Sequence, residues 1–409
     1  MIEASPSGTA DEFAPYLISW NLTQRCNLYC KHCYIDASSA APGELSTSEA
    51  LRVLDEIAAV SPEALLILTG GEPLLRSDLE VLVEHAAAQG MTVVLGTNGT
   101  LLSRWRAVAL KECGLSAAGI SLDSLLPRNH DEFRGKEGAW RSAVRGIESA
   151  LWAGLDVQVQ MTLTRDNITE LPGAVRFARG LGARVLTAFF LVCTGRGQNL
   201  VDLTPEEYED ALRQLAGMNQ DGIMIRPRCA PTFRRVLAQT NPDSILLQSD
   251  TARCMAGKNY CRITPEGELT PCPYMPLTAG RLRERSFSDI WESAAVFQAL
   301  RHRTLKGRCG ECEYQELCGG CRARAFSDSG DLLAEDPGCA YVPGTDGPLT
   351  LREEGAVAWS AEADARMGKV PFFFRRTVRS AVEAFARQQG AAMVTAAILD
   401  EARQTMRRP

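Results

Sequence analysis

The chain has 409 residues, more than one compact core usually contains, so we expect two or three domains. Charged residues make up 23% of the sequence and apolar residues 45%, which excludes a disordered chain. The formal net charge of -6 argues against nucleic-acid binding, because phosphate backbones favour clustered positive charge. We find neither an apolar run of spanning length nor a cationic leader, so we expect no membrane span and a cytoplasmic protein.

Short apolar runs alternate with amphipathic stretches over the first half of the chain, which predicts repeated β/α units around a parallel sheet. The predicted strands are Leu17–Leu22, Ala64–Leu68, Thr92–Leu95, Ala118–Leu122, Val157–Leu163 and Arg184–Phe190. Six units are fewer than the eight of a closed barrel, so the expected fold class is α/β with a partial, TIM-like (β/α)6 barrel.

Capping signals mark several helix ends. Helix starts with the S-x-x-E spacing of a capping box are predicted at Ser46 with Glu49 and at Ser77 with Glu80. Another helix is predicted to begin at Thr204-Pro205 and to run to about residue 218. Glycines placed to end helices in a left-handed conformation are Gly90, Gly114, Gly154 and Gly182.

These patterns predict four parts of the chain. A barrel over 14–220 is followed by a linker over 221–250, where the periodicity weakens. A Cys-, Gly- and Pro-rich domain then covers 251–345, where metal would replace part of a core. A small helical appendage over 355–408 completes the chain, with a helix from about Phe374 to Gly390 and a last helix capped by Thr395.

The 14 cysteines require a chemical explanation. Without an export signal, a reducing compartment favours thiols that bind metal over disulfides. Three of them, Cys26, Cys30 and Cys33, directly follow the first predicted strand, and eight lie between Cys254 and Cys339. The isolated ones are Cys113, Cys193 and Cys229.

The spacing C-x3-C-x2-C of the first group supplies three ligands for a 4Fe-4S cluster and leaves one iron open to another ligand. The alternative is a zinc loop, which needs a fourth ligand such as His32. That side chain lies between two ligating positions, Cys30 and Cys33, and could not easily turn toward the same metal ion. We therefore favour the cluster.

Together with Thr69-Gly70-Gly71-Glu72-Pro73 after the second strand, this motif resembles the radical S-adenosylmethionine (radical SAM) superfamily. The resemblance implies S-adenosylmethionine on the open iron, with Glu72 meeting its ammonium group and Arg134 reaching its carboxylate. The implied cofactor-binding residues are Tyr34, Gly70, Gly71, Glu72, Asn98, Ser121, Arg134 and Met161. For those at the later strands, a turn or a packed strand end is an equally good explanation.

The same resemblance implies the chemistry. A reduced cluster cleaves the sulfonium to methionine and a 5′-deoxyadenosyl radical, which removes hydrogen from a substrate. Reduced ferredoxin or flavodoxin is the expected electron donor.

The later cysteines resemble the SPASM extension of radical SAM enzymes, whose eight thiols hold two further 4Fe-4S clusters, three in all. The resemblance implies one cluster on Cys254, Cys261, Cys272 and Cys321, and another on Cys309, Cys312, Cys318 and Cys339. The spacing between Cys318 and Cys321 is one residue shorter than the common pattern. Two structural zinc sites are the alternative.

Several segments resemble the branch of the superfamily that modifies haem precursors: 191–197, 228–235, 254–276 and 310–339. The tail resembles a segment of a light-independent protochlorophyllide reductase subunit, although a basic packing module also explains it. The resemblance implies a tetrapyrrole substrate, and the candidate arginines for its carboxylates are Arg196, Arg226, Arg228, Arg234 and Arg235. Cys229 or a histidine could approach a haem iron.

These observations lead to one hypothesis, oxidative decarboxylation of iron-coproporphyrin propionates to vinyl groups in haem biosynthesis. A SPASM-type maturase acting on a peptide or protein side chain is the second. An electron carrier or zinc-stabilised binding module is the third, although it would give the Gly-Gly-Glu-Pro segment no role.

Overall fold

The computed structural model describes residues 13–218, 223–242, 244, 247, 253–345, 357–368, 370 and 372–405. Its main sheet has ten strands in the order β10-β9-β8-β1-β2-β3-β4-β5-β6-β7. The strands are β1 Leu17–Asn21, β2 Leu65–Thr69, β3 Thr92–Thr97, β4 Ala117–Ser121, β5 Asp156–Leu163, β6 Val185–Phe190, β7 Met224–Arg228, β8 Tyr260–Ile263, β9 Glu268–Thr270 and β10 Gly280–Arg281. A separate two-stranded sheet pairs β11 Ala358–Trp359 with β12 Met393–Val394.

The helices are α1 Thr47–Val60, α2 Leu79–Ala88, α3 Arg104–Glu112, α4 Pro127–Arg134, α5 Ala139–Trp152, α6 Leu171–Leu181, α7 Pro205–Gly217, α8 Phe233–Thr240, α9 Phe287–Ser293, α10 Ala295–His302, α11 Gly307–Glu311, α12 Arg322–Ser329, α13 Ala361–Met367, α14 Phe372–Gln388 and α15 Ala396–Thr405. Within the described ranges, none of these helices has the length and apolar character needed to cross a bilayer.

All six predicted strands are present, and the sheet extends beyond them on both sides. On one side, β7 pairs with β6 in parallel. The expected linker over 221–250 is therefore wrong for this part, which contains β7 and α8. This strand could not be predicted from an apolar run, because Arg226 and Arg228 alternate in it with the buried Ile225 and with Pro227.

On the other side, the first strand of the cysteine-rich region joins the barrel. β8 pairs with β1 in parallel, with Leu17 opposite Tyr260 and Trp20 opposite Ile263. The hairpin of β8 and β9 continues the sheet in antiparallel order. The cysteine-rich region thus shares one sheet with the barrel.

Eight parallel strands, β1 to β8, each contribute residues to the lining of one cavity of about 380 Å³. A sheet whose strands all face the same enclosed space must curl around it. The sheet does not close, because β7 and β8 are not paired. The α/β fold class with a partial barrel is confirmed.

The predicted helix signals are mostly correct. Ser46 and Thr204 both form capping boxes, and the four predicted glycines all have left-handed φ values, from 74° to 102°. The capping box predicted at Ser77 is wrong. The N-cap is Asp78, whose carboxylate accepts hydrogen bonds from Arg76 and Thr47 instead of capping the helix.

The tail forms a small helical unit with its own apolar core. Ala363, Val382, Ala386, Val394 and Ala402 are buried together. The predicted helix over the Phe374 region ends before Gly390, which has a φ of 69°. Thr395 Oγ1 accepts a hydrogen bond from Ile398 N (3.4 Å) at the start of α15, as expected.

A core substitution in β7 tests whether this segment is part of the barrel. Replacing Ile225, which is 1% exposed, with alanine should lower the free energy of unfolding by about 3 kcal/mol, because it leaves a cavity. The matched control Val201→Ala, at a position 64% exposed, should change it by less than about 0.5 kcal/mol. Equal effects in urea denaturation would show that 224–228 behaves as a linker.

Candidate functional site

The thiol loop, residues 26–33, follows β1 at the carboxyl end of the sheet, where parallel α/β folds place their ligands. All three thiols line the main cavity of 380 Å³. Burial raises the pKa of Cys26 to about 11, so its thiol stays protonated at neutral pH until a metal displaces the proton. Backbone N–H groups already point at two sulfurs, from Leu28 to Cys26 (3.5 Å) and from Ala37 to Cys33 (3.3 Å).

The Gly-Gly pair lies against the backbone at the start of this loop. Gly71 N donates to Thr23 O (2.7 Å) and Glu72 N donates to Arg25 O (2.8 Å). A Cβ on Gly71 would lie 2.3 Å from Arg25 O, and one on Gly70 would lie 2.5 Å from Thr23 O. Only glycine allows this approach, so the pair positions the thiol loop as well as lining the cavity.

Glu72 does not line the cavity, although we expected it to meet the ammonium group of the cofactor. Its side chain is fully buried and accepts hydrogen bonds from Thr97 Oγ1 (2.6 Å), Asn98 N (2.9 Å) and Leu74 N (3.2 Å). Burial raises its pKa to about 7. The structure therefore makes Glu72 a residue that fixes the end of β3 behind the cavity wall.

Asn98 and Ser121 line the cavity, as expected for cofactor-binding residues. The amide of Asn98 donates to Asn27 Oδ1 (2.9 Å) and lies 4.0 Å from the sulfur of Cys26. Its oxygen accepts a hydrogen bond from Thr100 N (2.9 Å). Asn98 therefore ties the end of β3 to the thiol loop.

Arg134 lies between the thiol loop and Asp123. Its Nε donates to Asp123 Oδ2 (2.6 Å), and its Nη1 lies 3.7 Å from the sulfur of Cys30. Burial alone would raise the pKa of Asp123, but the guanidinium of Arg134 holds it at about 2. Arg134 lines the cavity, and its positive charge favours a negatively charged group on Cys30.

Met161 is turned away from the cavity, which contradicts its expected role in cofactor binding. It is fully buried on the helix-facing side of β5, together with Val157, Val159 and Leu163. The cavity side of this strand carries Gln158, Gln160 and Thr162. Strand alternation puts neighbouring residues on opposite faces, and the polar positions of this strand line the interior.

Tyr34 lines the cavity beside the thiol loop, and its hydroxyl accepts a hydrogen bond from Asn21 Nδ2 (2.8 Å). Its ring packs edge-on against Tyr274 of the cysteine-rich region, with 5.3 Å between centroids. Both rings also line an adjoining outer cavity of about 570 Å³. The two tyrosines thus stand where the main and outer cavities meet.

His32 stacks on Phe133, with 4.5 Å between ring centroids and an interplanar angle of 6°. Burial lowers its pKa to about 3, so the ring is neutral. Among the described residues, no group of three or more His, Cys, Asp or Glu side chains converges on a point where one metal ion would bind.

Cys309, Cys312, Cys318 and Cys339, the second auxiliary set, surround one small cavity. Backbone N–H groups donate to three of these sulfurs, from Asp336 to Cys309 (3.3 Å), from Tyr314 to Cys312 (3.4 Å) and from Gly320 to Cys318 (3.3 Å). Donors of this kind stabilise thiolate ligands. The structure brings these four thiols together in the grouping that the resemblance implied.

The other expected group is not brought together. Cys254, Cys272 and Cys321 line the main cavity, but Cys261 does not. Cys261 is fully buried in the core of the barrel, on the opposite face of β8 from Tyr260 and Arg262. Its predicted ligand role is therefore contradicted by the direction of the strand, and Cys229 stands beside the other three instead.

The described lining of the main cavity contains arginine but neither aspartate nor glutamate. Its five arginines are Arg134, Arg196, Arg226, Arg228 and Arg253. Arg234 and Arg235, also expected to meet a substrate, do not line it: Arg235 pairs with Glu209, and Arg234 donates to Leu247 O (2.7 Å). Arg253 was missed by sequence reasoning, because it precedes Cys254 without any pattern of its own.

Three family models match the chain. The radical SAM superfamily model matches residues 20–178, and the iron-sulfur cluster-binding SPASM model matches residues 254–322. The model of the proto-chlorophyllide reductase 57 kD subunit matches residues 359–403 in the tail.

Among similar proteins, an AdoMet-dependent heme synthase of Methanosarcina barkeri is 39% identical over 342 residues, covering 81% of this chain and 98% of that protein. An Fe-coproporphyrin III synthase of the same organism is 32% identical over 349 residues, covering 79% and 87%. The crystal structure of Streptococcus suis SuiB bound to S-adenosylmethionine has a TM-score of 0.65, with 15% identity, 80% of this chain covered and 78% of that one. This last likeness concerns the fold alone.

An alanine at Gly71 tests whether the glycine pair positions the cluster loop. Gly71→Ala should weaken S-adenosylmethionine binding at least about tenfold and lower the iron held by the thiol loop, because the new Cβ displaces Arg25. Gly180→Ala, where a Cβ meets nothing within 4 Å, is the matched control and should change neither. Equilibrium dialysis and iron analysis measure both effects, and unchanged binding by Gly71→Ala would contradict the assigned role.

Proposed function

Because the chain belongs to the radical SAM superfamily and carries its SPASM iron-sulfur domain, we propose that it converts propionate side chains of iron-coproporphyrin into vinyl groups. The reaction is an oxidative decarboxylation in haem biosynthesis. One relative bears the name AdoMet-dependent heme synthase, which fits this chemistry, and another is named Fe-coproporphyrin III synthase, a name that gives iron-coproporphyrin as its product. The observation that carries the proposal is the cationic lining of the main cavity.

The residues of the thiol loop suit a 4Fe-4S cluster with one open iron. Cys26, Cys30 and Cys33 supply three thiols on one short loop, with Arg134 and backbone N–H groups directed at the sulfurs. Bound there with S-adenosylmethionine, such a cluster supplies a 5′-deoxyadenosyl radical. Gly70, Gly71, Asn98 and Ser121 line the cavity beside it and are the proposed cofactor contacts.

The arginines give the cavity the charge that a porphyrin polycarboxylate requires. Arg226 and Arg228 project from the same side of β7 into the cavity. Burial, together with the neighbouring Arg228, lowers the pKa of Arg226 to about 9, so its surroundings disfavour a cation until an anion arrives. A carboxylate matches the planar fork of arginine and would pair with both donors of one guanidinium.

The site also has a second, outer cavity into which a large substrate could extend. The main cavity adjoins the outer one along Tyr34, Ile35, Pro273 and Tyr274, which line both. Aromatic rings at this junction offer stacking surfaces for a conjugated ring system. We propose that the substrate extends across the junction and places one propionate toward the thiol loop.

We also propose three clusters in all, on the thiol loop and on two four-thiol groups of the cysteine-rich region. The group around Cys254, Cys272 and Cys321 lines the same cavity as the thiol loop. A fully ligated cluster there would supply an electron acceptor next to the substrate. Reduced ferredoxin or flavodoxin is the proposed donor for the thiol loop, in a reducing compartment such as the cytoplasm.

Anaerobic reconstitution with a panel of tetrapyrroles tests the reaction. With iron-coproporphyrin, each modified side chain should lose carbon dioxide and two hydrogen atoms, which mass spectrometry detects, together with stoichiometric 5′-deoxyadenosine. Cofactor cleavage without any change in iron-coproporphyrin would refute the proposal. Cleavage stimulated only by a peptide would favour a maturase instead.

Substitution of an arginine in the cavity tests the recognition of carboxylates. Arg226→Ala should raise the KM for iron-coproporphyrin roughly tenfold or more, because a charge-assisted hydrogen bond contributes about 1.5–3 kcal/mol. The control Arg184→Ala removes an arginine that is 55% exposed and paired with Asp156, and it should leave KM unchanged. Iron content should be the same in both variants, and an unaltered KM in Arg226→Ala would contradict this recognition.

A further inference from the structure

Cys229 lies just beyond β7 and has an unusual backbone conformation. Its φ of 57° is in the left-handed region, which residues with a Cβ rarely adopt. Such conformations persist where the surroundings fix them, and they are concentrated at functional sites. The turn places the thiol on the lining of the main cavity, next to Arg228.

Three other thiols surround Cys229. It packs with Cys254 and Cys272 against the buried Cys321, within an apolar cluster that includes Met275. The four cysteines, but not Met275, line the main cavity.

Cys261 has none of these neighbours. It is fully buried in the barrel core, among the residues packed between the sheet and the helices. Because β8 alternates, turning Cys261 toward the cavity would turn Tyr260 and Arg262 into the core. Its position is therefore fixed by the register of the sheet.

A buried ion pair holds Cys229 and Cys321 at this place. Arg324 Nη2 donates to Cys229 O (3.0 Å), and Asp336 Oδ2 accepts a hydrogen bond from Cys321 N (2.7 Å). Arg324 and Asp336 pair with each other at 3.1 Å, and both side chains are almost fully buried. The pair thus links the two cysteine backbones, which are far apart in the sequence.

We propose that Cys229, together with Cys254, Cys272 and Cys321, ligates the auxiliary cluster next to the substrate cavity, and that Cys261 is a core residue. Cys229 precedes the SPASM match, which begins at residue 254. The proposal rests on the proposed presence of that cluster, but not on the identity of the tetrapyrrole. These four thiols, from three separate segments, would ligate all four irons of the cluster, so that no iron remains open to substrate.

The test measures iron in full-length protein that lacks the thiol loop ligands. In the background Cys26→Ala, Cys30→Ala, Cys33→Ala, two auxiliary clusters should give about eight irons per chain. Adding Cys229→Ala should reduce iron toward about four, or leave a cluster with an altered electron paramagnetic resonance (EPR) spectrum. Adding Cys261→Ala, or the remote control Cys113→Ala, should leave the iron count and the spectrum unchanged.

Glycine separates the loss of the thiol from effects of the backbone. Cys229→Gly adopts a φ of 57° without strain, whereas Cys229→Ala retains the strain of the native residue. Equal loss of iron, or the same altered EPR spectrum, in both variants supports ligation, and full retention of iron with an unaltered spectrum in both overturns it. Circular dichroism of both variants should match that of the background, which separates ligand loss from misfolding.

Two further outcomes would overturn the proposal. Loss of iron in Cys261→Ala but not in Cys229→Ala would restore the grouping that the family resemblance implies. Unchanged clusters in Cys229→Ala, with an altered absorption band of added iron-coproporphyrin, would make Cys229 a ligand of the substrate iron. Because the iron counts are made without substrate, their result does not depend on the proposed reaction.

Discussion

Two backbone hydrogen bonds, from Gly71 N to Thr23 O and from Glu72 N to Arg25 O, set the position of the three-thiol loop. They join the carboxyl ends of β1 and β2 so closely that side chains at positions 70 and 71 are excluded. From the opposite side, the carbonyls of Phe133 and Arg134 accept hydrogen bonds from Lys31 N and Tyr29 N. The loop is thus held by backbone contacts on two sides, and its three thiols line the cavity.

The charges around this loop follow from the same arrangement. Three carboxylates near it do not line the cavity: Glu72 lies behind the wall, Asp123 pairs with Arg134 and Asp36 pairs with Arg196. The lining that remains is cationic, and thiols stand along it in two separate places. Such a lining suits an anionic substrate, and the proposed oxidative decarboxylation would place a cluster at each of the two groups of thiols.

Local signals were enough to predict much of this molecule. The six central strands, the Ser46 and Thr204 capping boxes and the grouping around Cys309 each depend on residues close in sequence or on a family motif. The direction of Met161 could also have been read from the alternation of β5, in which Gln158, Gln160 and Thr162 share the polar face. Its neighbours, rather than the residue itself, carry the signal.

The errors concern contacts between distant segments. Nothing in the local sequence says that β8 pairs with β1, and that pairing is what turns Cys261 into the core. Likewise, Cys229 lies near Cys321 because it follows β7, a strand that the sequence did not predict. The buried pair of Arg324 and Asp336 then links the two cysteine backbones. Glu72 was misassigned because its three hydrogen-bond donors come from two segments of the chain.

The central claim is that Cys26, Cys30 and Cys33 alone hold a cluster with one iron open to S-adenosylmethionine. EPR of a reduced variant that retains these three thiols, with every cysteine from Cys229 to Cys339 replaced by alanine, tests it most directly. We predict about four irons per chain and a spectrum that shifts when S-adenosylmethionine is added. A variant without a cluster signal, or with one that does not respond to the sulfonium compound, would contradict the account.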